Sequence, residues 1–269
     1  MMREVRKERT DWRDSKLDKI HNLFGYECPC ENVEFLMIEY DQGTPVALVD
    51  YRLKGRVNSE PSKSVIELCK NRNSEIPFIV VNYEILNKQM TNIDILCCNS
   101  SAINVIGNKT GITEKDYVKI MYSIREKIVP GRTQQGVALA NSLSNTLPDA
   151  TENWEGEILS HRHRDWGWDC PVVDIDFIVV NNGKPVAIVE YKNRQSFSSP
   201  SKFKFHPTGK TLSFLSDTAI PKIPLLFVYY NDRFTEFRIY PVTRGWDKYD
   251  DYFGVDLNRE EYFNFLKTL

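Results

Sequence analysis

Apolar and polar residues alternate along two similar stretches of the chain, and each alternation predicts a β-hairpin. In the later stretch we expect strands at Asp174–Val180 and Pro185–Lys192, because residues two apart on a strand share a face. In the earlier stretch we expect strands at Glu34–Tyr40 and Pro45–Arg52. The strands of each pair are joined through a three-residue loop that ends in glycine, at 41–43 and at 181–183, which is a favoured connection between antiparallel strands.

The same order of elements surrounds both hairpins. The expected pairs, earlier copy first, are helices at 12–22 and 154–164, helices at 65–70 and 212–216, strands at 78–81 and 225–229, strands at 93–97 and 236–240, and closing helices that begin near Thr113 and Asn258. Helix, hairpin, helix and strand in this order predict an α/β sandwich around a mixed sheet, because the crossing helix lets the next strand run parallel to its neighbour.

The two stretches are also related residue by residue. The run GTPVALVDYR at 43–52 corresponds to GKPVAIVEYK at 183–192, and GYECPCENVEF at 25–35 corresponds to GWDCPVVDIDF at 167–177. A repeat of this length predicts tandem domains, since the units of solenoid proteins are far shorter.

The repeat divides the chain into three parts. We expect one domain at 1–128, a second at 152–269, and a linker at 129–151 that is rich in Gly, Pro, Ser, Asn and Thr. Whether a short helix forms at 138–143 within the linker is left open. The length of 269 residues is sufficient for two domains of ordinary size.

Composition excludes a few classes of protein. A hydrophobic fraction of 41% and a charged fraction of 27% are typical of a globular chain with a core. The net charge of −2 gives no overall basic field for nucleic acid, although a local basic groove stays open. No apolar run is long enough for a membrane span, and the charged N-terminus lacks an apolar signal core. A cytoplasmic protein with no membrane partner is therefore expected.

Acidic side chains accumulate on one face of the later hairpin. A three-residue loop places Asp174 opposite Glu190 and Asp176 opposite Ile188, so that Asp174, Asp176, Glu190 and Lys192 share a face. Crowded carboxylates repel each other, and a hard divalent cation such as Mg²⁺ or Mn²⁺ relieves the repulsion. Such an ion polarises a phosphoryl oxygen and activates water, which predicts phosphodiester hydrolysis. The alternative is an exposed hairpin whose charged side chains are ordinary surface residues and bind no metal.

The earlier hairpin keeps the scaffold but changes the chemistry. It has Asn32, Glu34, Asp50 and Arg52 at the corresponding places, with Glu34 expected opposite Asp50. Arg52 holds its charge in a wide, delocalised fork, unlike the compact ammonium of a lysine. We expect this half to be inactive and to serve as the partner in a monomeric pseudo-dimer, or in a homodimer, where it helps to hold the nucleic acid.

The hairpin and the elements around it resemble the PD-(D/E)XK nuclease superfamily. The resemblance covers most of 152–242 and, more loosely, 10–100. It implies two tandem restriction-endonuclease-like α/β sandwich domains, each with a mixed central sheet flanked by helices. It also implies Mg²⁺- or Mn²⁺-dependent hydrolysis of DNA, less often of RNA. By this resemblance Asp176 and Glu190 are metal ligands, and Lys192 positions the water.

The chain departs from the superfamily pattern in front of the aspartates. Val173 precedes Asp174 and Ile175 precedes Asp176, where the pattern has proline, so Asp174 stays a second candidate ligand. Some members of the superfamily use an acidic residue on the preceding helix, and Glu157 is the candidate for that role. The superfamily also contains members without catalysis.

In the predicted helix at 154–164, Arg162 and Arg164 form a small basic cluster with His161, and His163 is a further candidate for contact with phosphate. Residues of this kind are suited to contact phosphate. Two alternatives are equally open: packing of His163 within the repeat, and exposure of the arginines to solvent. The leading hypothesis is a nuclease with one competent site in the second half. The alternative is a catalytically inactive nuclease-fold module that binds nucleic acid or another protein.

Overall fold

The computed structural model describes residues 30–32, 36–54, 76–87, 89–143, 162, 163, 165–167, 172–175, 177–182, 184–193, 206–219, 221–231, 233–242 and 255–269. Their strands are β1 (Cys30–Asn32), β2 (Leu36–Asp41), β3 (Thr44–Leu53), β4 (Phe78–Leu86), β5 (Gln89–Cys97), β6 (Lys109–Ile112), β7 (Val172–Asp174), β8 (Phe177–Asn181), β9 (Lys184–Asn193), β10 (Leu225–Tyr230), β11 (Glu236–Val242) and β12 (Val255–Asn258). Their helices are α1 (Ser100–Val105), α2 (Glu114–Arg125), α3 (Arg132–Ser142), α4 (Pro207–Thr218) and α5 (Arg259–Thr268).

The chain forms two compact units, and among the described residues each unit contains one sheet of six strands. Unit 1 holds the described residues between 36 and 54, between 76 and 143, and between 162 and 174. Unit 2 holds residues 30–32 and the described residues from 175 to 269. Both units therefore draw on both halves of the sequence, whereas the repeat placed one domain in each half.

The sheet of unit 1 has the order β6-β5-β4-β3-β2-β7, with β3 and β4 parallel and the other neighbours antiparallel. Helix α2 contributes Tyr117, Val118 and Met121 to the core, which also contains Val49 and Trp166. These three helix positions are spaced as one buried face of a helix requires. Helix α2 therefore packs against the face of β3 that carries Val49.

The sheet of unit 2 has the order β1-β8-β9-β10-β11-β12, and its one parallel pair is β9 with β10. Every residue of β10 is buried, as expected for a central strand with both faces covered. Helix α5 packs through Tyr262, whose ring stacks on Phe237 at 4.5 Å and whose hydroxyl lies 2.5 Å from that of Tyr191. Unit 1 has the same contact, because the hydroxyls of Tyr51 and Tyr117 are 2.7 Å apart.

The structure confirms the mixed α/β class and most of the expected elements among the described residues. The strands expected at 78–81, 93–97, 225–229 and 236–240 all form, and α4 includes the helix expected at 212–216. Thr113 and Asn258 cap α2 and α5 through side chains that accept backbone N–H bonds. The helices expected at 12–22 and 65–70, and most of that at 154–164, lie outside the described residues.

Both hairpin turns differ from the expected three-residue loops. Asp41 pairs with Thr44 and Asn181 pairs with Lys184, so each turn has two residues. Gln42 and Gly43 have φ angles of 48° and 79°, which is the backbone of a tight hairpin turn. The register then shifts once in each hairpin beside a proline, Pro45 or Pro185. Proline has no N–H to donate to the ladder, which favours a bulge at this place.

The expected strand from 174 to 180 is two strands that join different sheets. In β7, Asp174 pairs with Met37 of β2 in unit 1, while β8 begins at Phe177 and pairs with β9 in unit 2. Asp174 is therefore not opposite Glu190. Apolar residues occupy every second position from Val173 to Val179, which is why alternation could not show where the strand changes its partner.

A helix occupies much of the expected linker. Helix α3 begins after Gly131, which has a φ of 90°, so it starts before the short helix at 138–143 that the sequence left open, and it ends at Ser142. Gly136 lies against Tyr122 of α2 so closely that an added Cβ would be 2.4 Å from the Tyr122 Cβ. The missing side chain thus allows α2 and α3 to pack together. None of the helices in the described part of the chain is long and apolar enough to cross a membrane.

Candidate functional site

The candidate site in unit 2 consists of Glu190 and Lys192 on β9. The strand runs between antiparallel β8 and parallel β10, and its residues 187–189 are buried. Glu190 is also buried, with 3% of its surface exposed, and Lys192 donates a hydrogen bond to its carboxylate. The Lys192 side chain is 19% exposed. Solvent therefore reaches the positive end of this pair more readily than the carboxylate.

Aromatic residues of β10 share the face of the sheet that carries this pair. Phe227 is in register with Glu190, and Tyr229 with Lys192, so their side chains project to the same side. Burial raises the pKa of the Tyr229 hydroxyl, and the nearby Tyr240 and Glu190 raise it further. Tyr229 consequently stays protonated at neutral pH beside the carboxylate.

The corrected turn preserves the face on which Glu190 lies. A two-residue turn by itself would move the ladder by one position and exchange the faces of β9. The bulge shifts the register by one more residue, so that Ile178 pairs with Ile188 and Phe177 with Val189. The total shift is even, and even shifts leave each side chain on its original face.

The other expected members of the acidic cluster are placed differently. The backbone of Asp174 lies in the sheet of unit 1, and the backbone of Asn32 pairs with Phe177 in unit 2. Asn32 thus belongs to the unit of the later hairpin, although its sequence position is in the earlier copy. Asp176, Glu157, Arg164 and Glu34 lie outside the described residues.

Unit 1 carries the related pair Asp50 and Arg52 at the corresponding positions of β3. Arg52 donates from Nη2 and Nε to the same carboxylate oxygen of Asp50, at 2.6 and 3.0 Å. Burial raises the pKa of Asp50, and the hydrogen bond and charge of Arg52 oppose this effect. Asp50 pairs with Leu36 and not with Glu34, because the turn and bulge of this hairpin also move the register by two.

Arg162 and His163 are buried in unit 1 and paired with carboxylates. The Arg162 Nε lies 2.5 Å from Glu114 Oε1, and Nη1 lies 3.0 Å from Asp165. His163 Nε2 lies 2.8 Å from Glu39 Oε1. Both side chains are at most 5% exposed, so neither presents an exposed positive group to a phosphate. Packing within the repeat accounts for them.

A buried charged network around Glu39 was missed by sequence reasoning. Glu39 lies 2.5 Å from Arg125 Nη2 and accepts a 2.8 Å hydrogen bond from the Tyr51 hydroxyl. Tyr51 in turn reaches Tyr117 and His163. Burial alone would raise the pKa of Glu39, but His163, Arg125 and Tyr51 together lower it to about 2. Glu39 is therefore ionised in the core of unit 1.

One feature of the sequence does point to this network. Tyr117, Met121 and Arg125 are four residues apart on α2, so an arginine occupies the apolar face of an amphipathic helix. A charged residue at such a position needs a buried partner of opposite charge. The partner, Glu39, is itself an acidic residue among apolar neighbours in β2.

The candidate site offers carboxylate oxygens to a divalent ion. The Glu190 carboxylate supplies the hard oxygen that Mg²⁺ and Mn²⁺ prefer, and in this respect the site fits. Within the described ranges, no three His, Cys, Asp or Glu side chains are grouped closely enough to hold a metal. Asp176 is not one of the described residues. No protein-family model, curated protein or solved structure matches the chain.

Proposed function

We propose that the chain is a metal-dependent nuclease that hydrolyses phosphodiester bonds of DNA, with its one competent site in the second half of the sequence. The observation that carries the proposal is the buried Glu190 carboxylate with Lys192 two residues further along β9. A structural surface pair would not need a buried carboxylate, because exposed ion pairs contribute little to stability.

The surrounding architecture supports the same proposal. The β8–β9 hairpin is followed by α4 and then by β10, which runs parallel to β9. Hairpin, helix and parallel strand in this order are what the resemblance to the restriction-endonuclease-like sandwich implies. The superfamily resemblance itself rests on residues 152–242, with Glu190 and Lys192 at the motif positions.

The roles of the residues follow from their chemistry. Glu190 and Asp176 would hold the Mg²⁺ or Mn²⁺ ion, which supplies Lewis acidity and a bound water of lowered pKa. Asp176 precedes Phe177 in the sequence, and Phe177 pairs with Val189, the residue before Glu190. Lys192 donates hydrogen bonds that orient the water or stabilise the negative charge that develops on the phosphoryl oxygens. Asp174 stays the second candidate ligand, although its backbone pairs with Met37 of β2 and is not opposite Glu190.

The corresponding pair of unit 1 is proposed to be inactive. Arg52 already places two donors on one oxygen of Asp50, and its guanidinium presents a planar fork where the later copy has a compact ammonium. The Asp50–Arg52 pair therefore serves as an internal control for the Glu190–Lys192 pair.

The test is cleavage of plasmid, linear duplex, single-stranded DNA and RNA in Mg²⁺, Mn²⁺ or EDTA. We expect metal-dependent cleavage of DNA by the wild type. Lys192→Ala should lower the rate by a factor of about 100 or more, and Arg52→Ala should leave it nearly unchanged. Cleavage that survives in Lys192→Ala would contradict the site, and cleavage in EDTA would contradict the metal requirement.

A second candidate function is an inactive nuclease-fold module that binds nucleic acid or protein. The ion pair between Lys192 and Glu190 favours it, since the lysine already neutralises the carboxylate as Arg52 neutralises Asp50. Tight binding of a nucleic acid without cleavage in any metal would support this second candidate over the first.

A further inference from the structure

A row of polar side chains crosses the sheet of unit 2 and begins at the candidate site. Tyr229 of β10 is in register with Lys192 of β9 on one side and with Arg238 of β11 on the other. Arg238 is in turn in register with Asp256 of β12, the last strand of the described sheet. Residues in register project their side chains to the same side of a sheet. These four residues therefore form one row on a single face, the charged row.

The charged row lies on the face of the sheet that α5 does not cover. Helix α5 packs on this sheet through Tyr262, whose ring stacks on Phe237. Arg238 follows Phe237 on β11, and successive residues of a strand point to opposite faces. The exposed fraction of the charged side chains rises from 19% at Lys192 to 38% at Arg238 and 54% at Asp256. The row therefore leads from the candidate site towards solvent.

Arg238 is held by two neighbours on this face. Its Nε donates to Asp256 Oδ1 at 2.7 Å, and its Nη2 donates to Oδ2 of the same carboxylate. Hydrogen bonds with Asp256 and Tyr240 raise the pKa of the Arg238 guanidinium, so the group keeps its positive charge. A guanidinium has five N–H donors, and these neighbours do not occupy all of them. Arg238 can therefore keep its contact with Asp256 and still donate to a phosphate oxygen.

The corresponding row of unit 1 carries the opposite charge at this position. Arg52 is in register with Asn82 of β4, and Asn82 is in register with Asp94 of β5. Asp94 thus occupies the place that Arg238 has in unit 2, and its carboxylate pairs with Lys54 at 2.7 Å. An aspartate at this place repels a phosphate, whereas an arginine attracts one. The unit with the candidate site is therefore also the unit with a cation two strands away from it.

We propose that Arg238 binds a phosphate of the DNA strand that is cut, and that the charged row is a binding surface for this strand. Neighbouring strands of a sheet are about 4.8 Å apart, so the backbones at Lys192 and Arg238 are separated by about 10 Å. A strand of DNA advances about 3.4 Å per nucleotide, which places the phosphate at Arg238 roughly two or three nucleotides from the one that is cut. The contact rests on the proposed function for its position, because Lys192 marks the phosphate that is cut.

Fluorescence anisotropy with labelled duplex DNA in EDTA tests this contact without cleavage. We expect Arg238→Ala to weaken binding about threefold or more and to lower the slope of log affinity against log salt concentration by about 1. Arg238→Lys should restore most of the affinity and of the slope, because lysine keeps the charge that displaces a counterion. The matched control is Lys267→Ala, which removes one exposed positive charge from α5. This control should change the affinity less than about twofold and leave the slope unchanged.

Asp256→Asn separates a phosphate contact from an ion pair that serves stability alone. Asparagine keeps an oxygen that accepts from Arg238, but it removes the negative charge beside the bound phosphate. We expect this variant to bind DNA about twofold or more tightly than the wild type, while Arg238→Ala binds it more weakly. A purely stabilising ion pair predicts equal effects of the two substitutions on binding. That result, or a wild-type salt slope in Arg238→Ala, would overturn the proposal.

Cleavage assays separate the phosphate contact from the proposed function. If the wild type binds DNA through Arg238 but cleaves nothing in Mg²⁺ or Mn²⁺, the proposed nuclease activity is contradicted and the phosphate contact is supported. If the wild type cleaves DNA, and Arg238→Ala changes neither the affinity, the salt slope nor the KM for DNA, the phosphate contact alone is contradicted. A wild type that binds no DNA at all contradicts both.

Discussion

Replacing Glu39 by glutamine removes its negative charge from the buried network in unit 1 while keeping the size of the side chain. Glu39 is fully buried and contacts Arg125 at 2.5 Å, His163 at 2.8 Å and Tyr51 at 2.8 Å. We expect Glu39→Gln to destabilise the protein and, more specifically, to remove part of the dependence of its stability on pH.

The magnitude follows from the pKa of the Glu39 carboxyl. Burial acts to raise this pKa, but His163 and Arg125 outweigh burial and lower it from 4.5 to about 2. The folded-state value lies below the unfolded-state value, so the stabilisation is complete above about pH 4.5 and is lost as the pH falls towards 2. A pKa difference of this size corresponds to roughly 3 kcal/mol.

Urea unfolding of the wild type and of Glu39→Gln, followed by circular dichroism between about pH 2 and pH 7, measures the effect. The difference in unfolding free energy should contain a part of roughly 3 kcal/mol that is present at neutral pH and disappears towards pH 2. Loss of the partner of Arg125 adds a cost that is independent of pH. A difference that stays constant from about pH 2 to pH 6 would refute the reasoning, because other carboxyls titrate alike in both proteins.

Four further substitutions are checked by thermal unfolding. Gly136→Ala should destabilise by about 1–3 kcal/mol although alanine favours helices, because its Cβ would overlap Tyr122; an unchanged or raised melting temperature would contradict the close packing of α2 and α3. Tyr51→Phe should cost about 2 kcal/mol and Tyr191→Phe about 1 kcal/mol, since the Tyr51 hydroxyl has a buried carboxylate among its partners; the reverse order would count against the network. Asn258→Ala should cost about 1 kcal/mol by removing the capping box of α5, and no loss would show that the cap is dispensable.

Hydrophobic periodicity predicted the strands and helices of this protein better than it predicted which strands pair with each other. The strands and helix caps of the two copies could be found because side-chain alternation and capping residues are local properties of the sequence. Local patterns could not show that β1 pairs with β8 in unit 2 and that β7 pairs with β2 in unit 1. A strand at the edge of either sheet has the same alternation, and β7 belongs to unit 1 because it pairs with β2.

The hairpin register shows a second limit of sequence reasoning. Glu190 was assigned to the correct strand, because the apolar residues before it require a buried strand. The cross-strand position expected opposite Glu190 was wrong by two residues. One source of the difference is the turn, since a glycine after two polar residues fits a two-residue turn as well as a three-residue loop. The bulges beside Pro45 and Pro185 shift the register by one further position, so that the side chains of β3 and β9 stay on the expected face of each sheet. Proline at a strand position was the available signal for them.

The unequal chemistry of the two copies is tested most directly by a paired substitution. Glu190→Gln and Asp50→Asn each remove one carboxylate charge at corresponding positions of β9 and β3, and the rate of Mn²⁺-dependent DNA cleavage is measured for both variants. We expect Glu190→Gln to lower the rate by a factor of about 100 or more, and Asp50→Asn to retain the wild-type rate within about threefold. Equal losses in the two variants, or a loss only in Asp50→Asn, would contradict a single competent site in the second half of the chain.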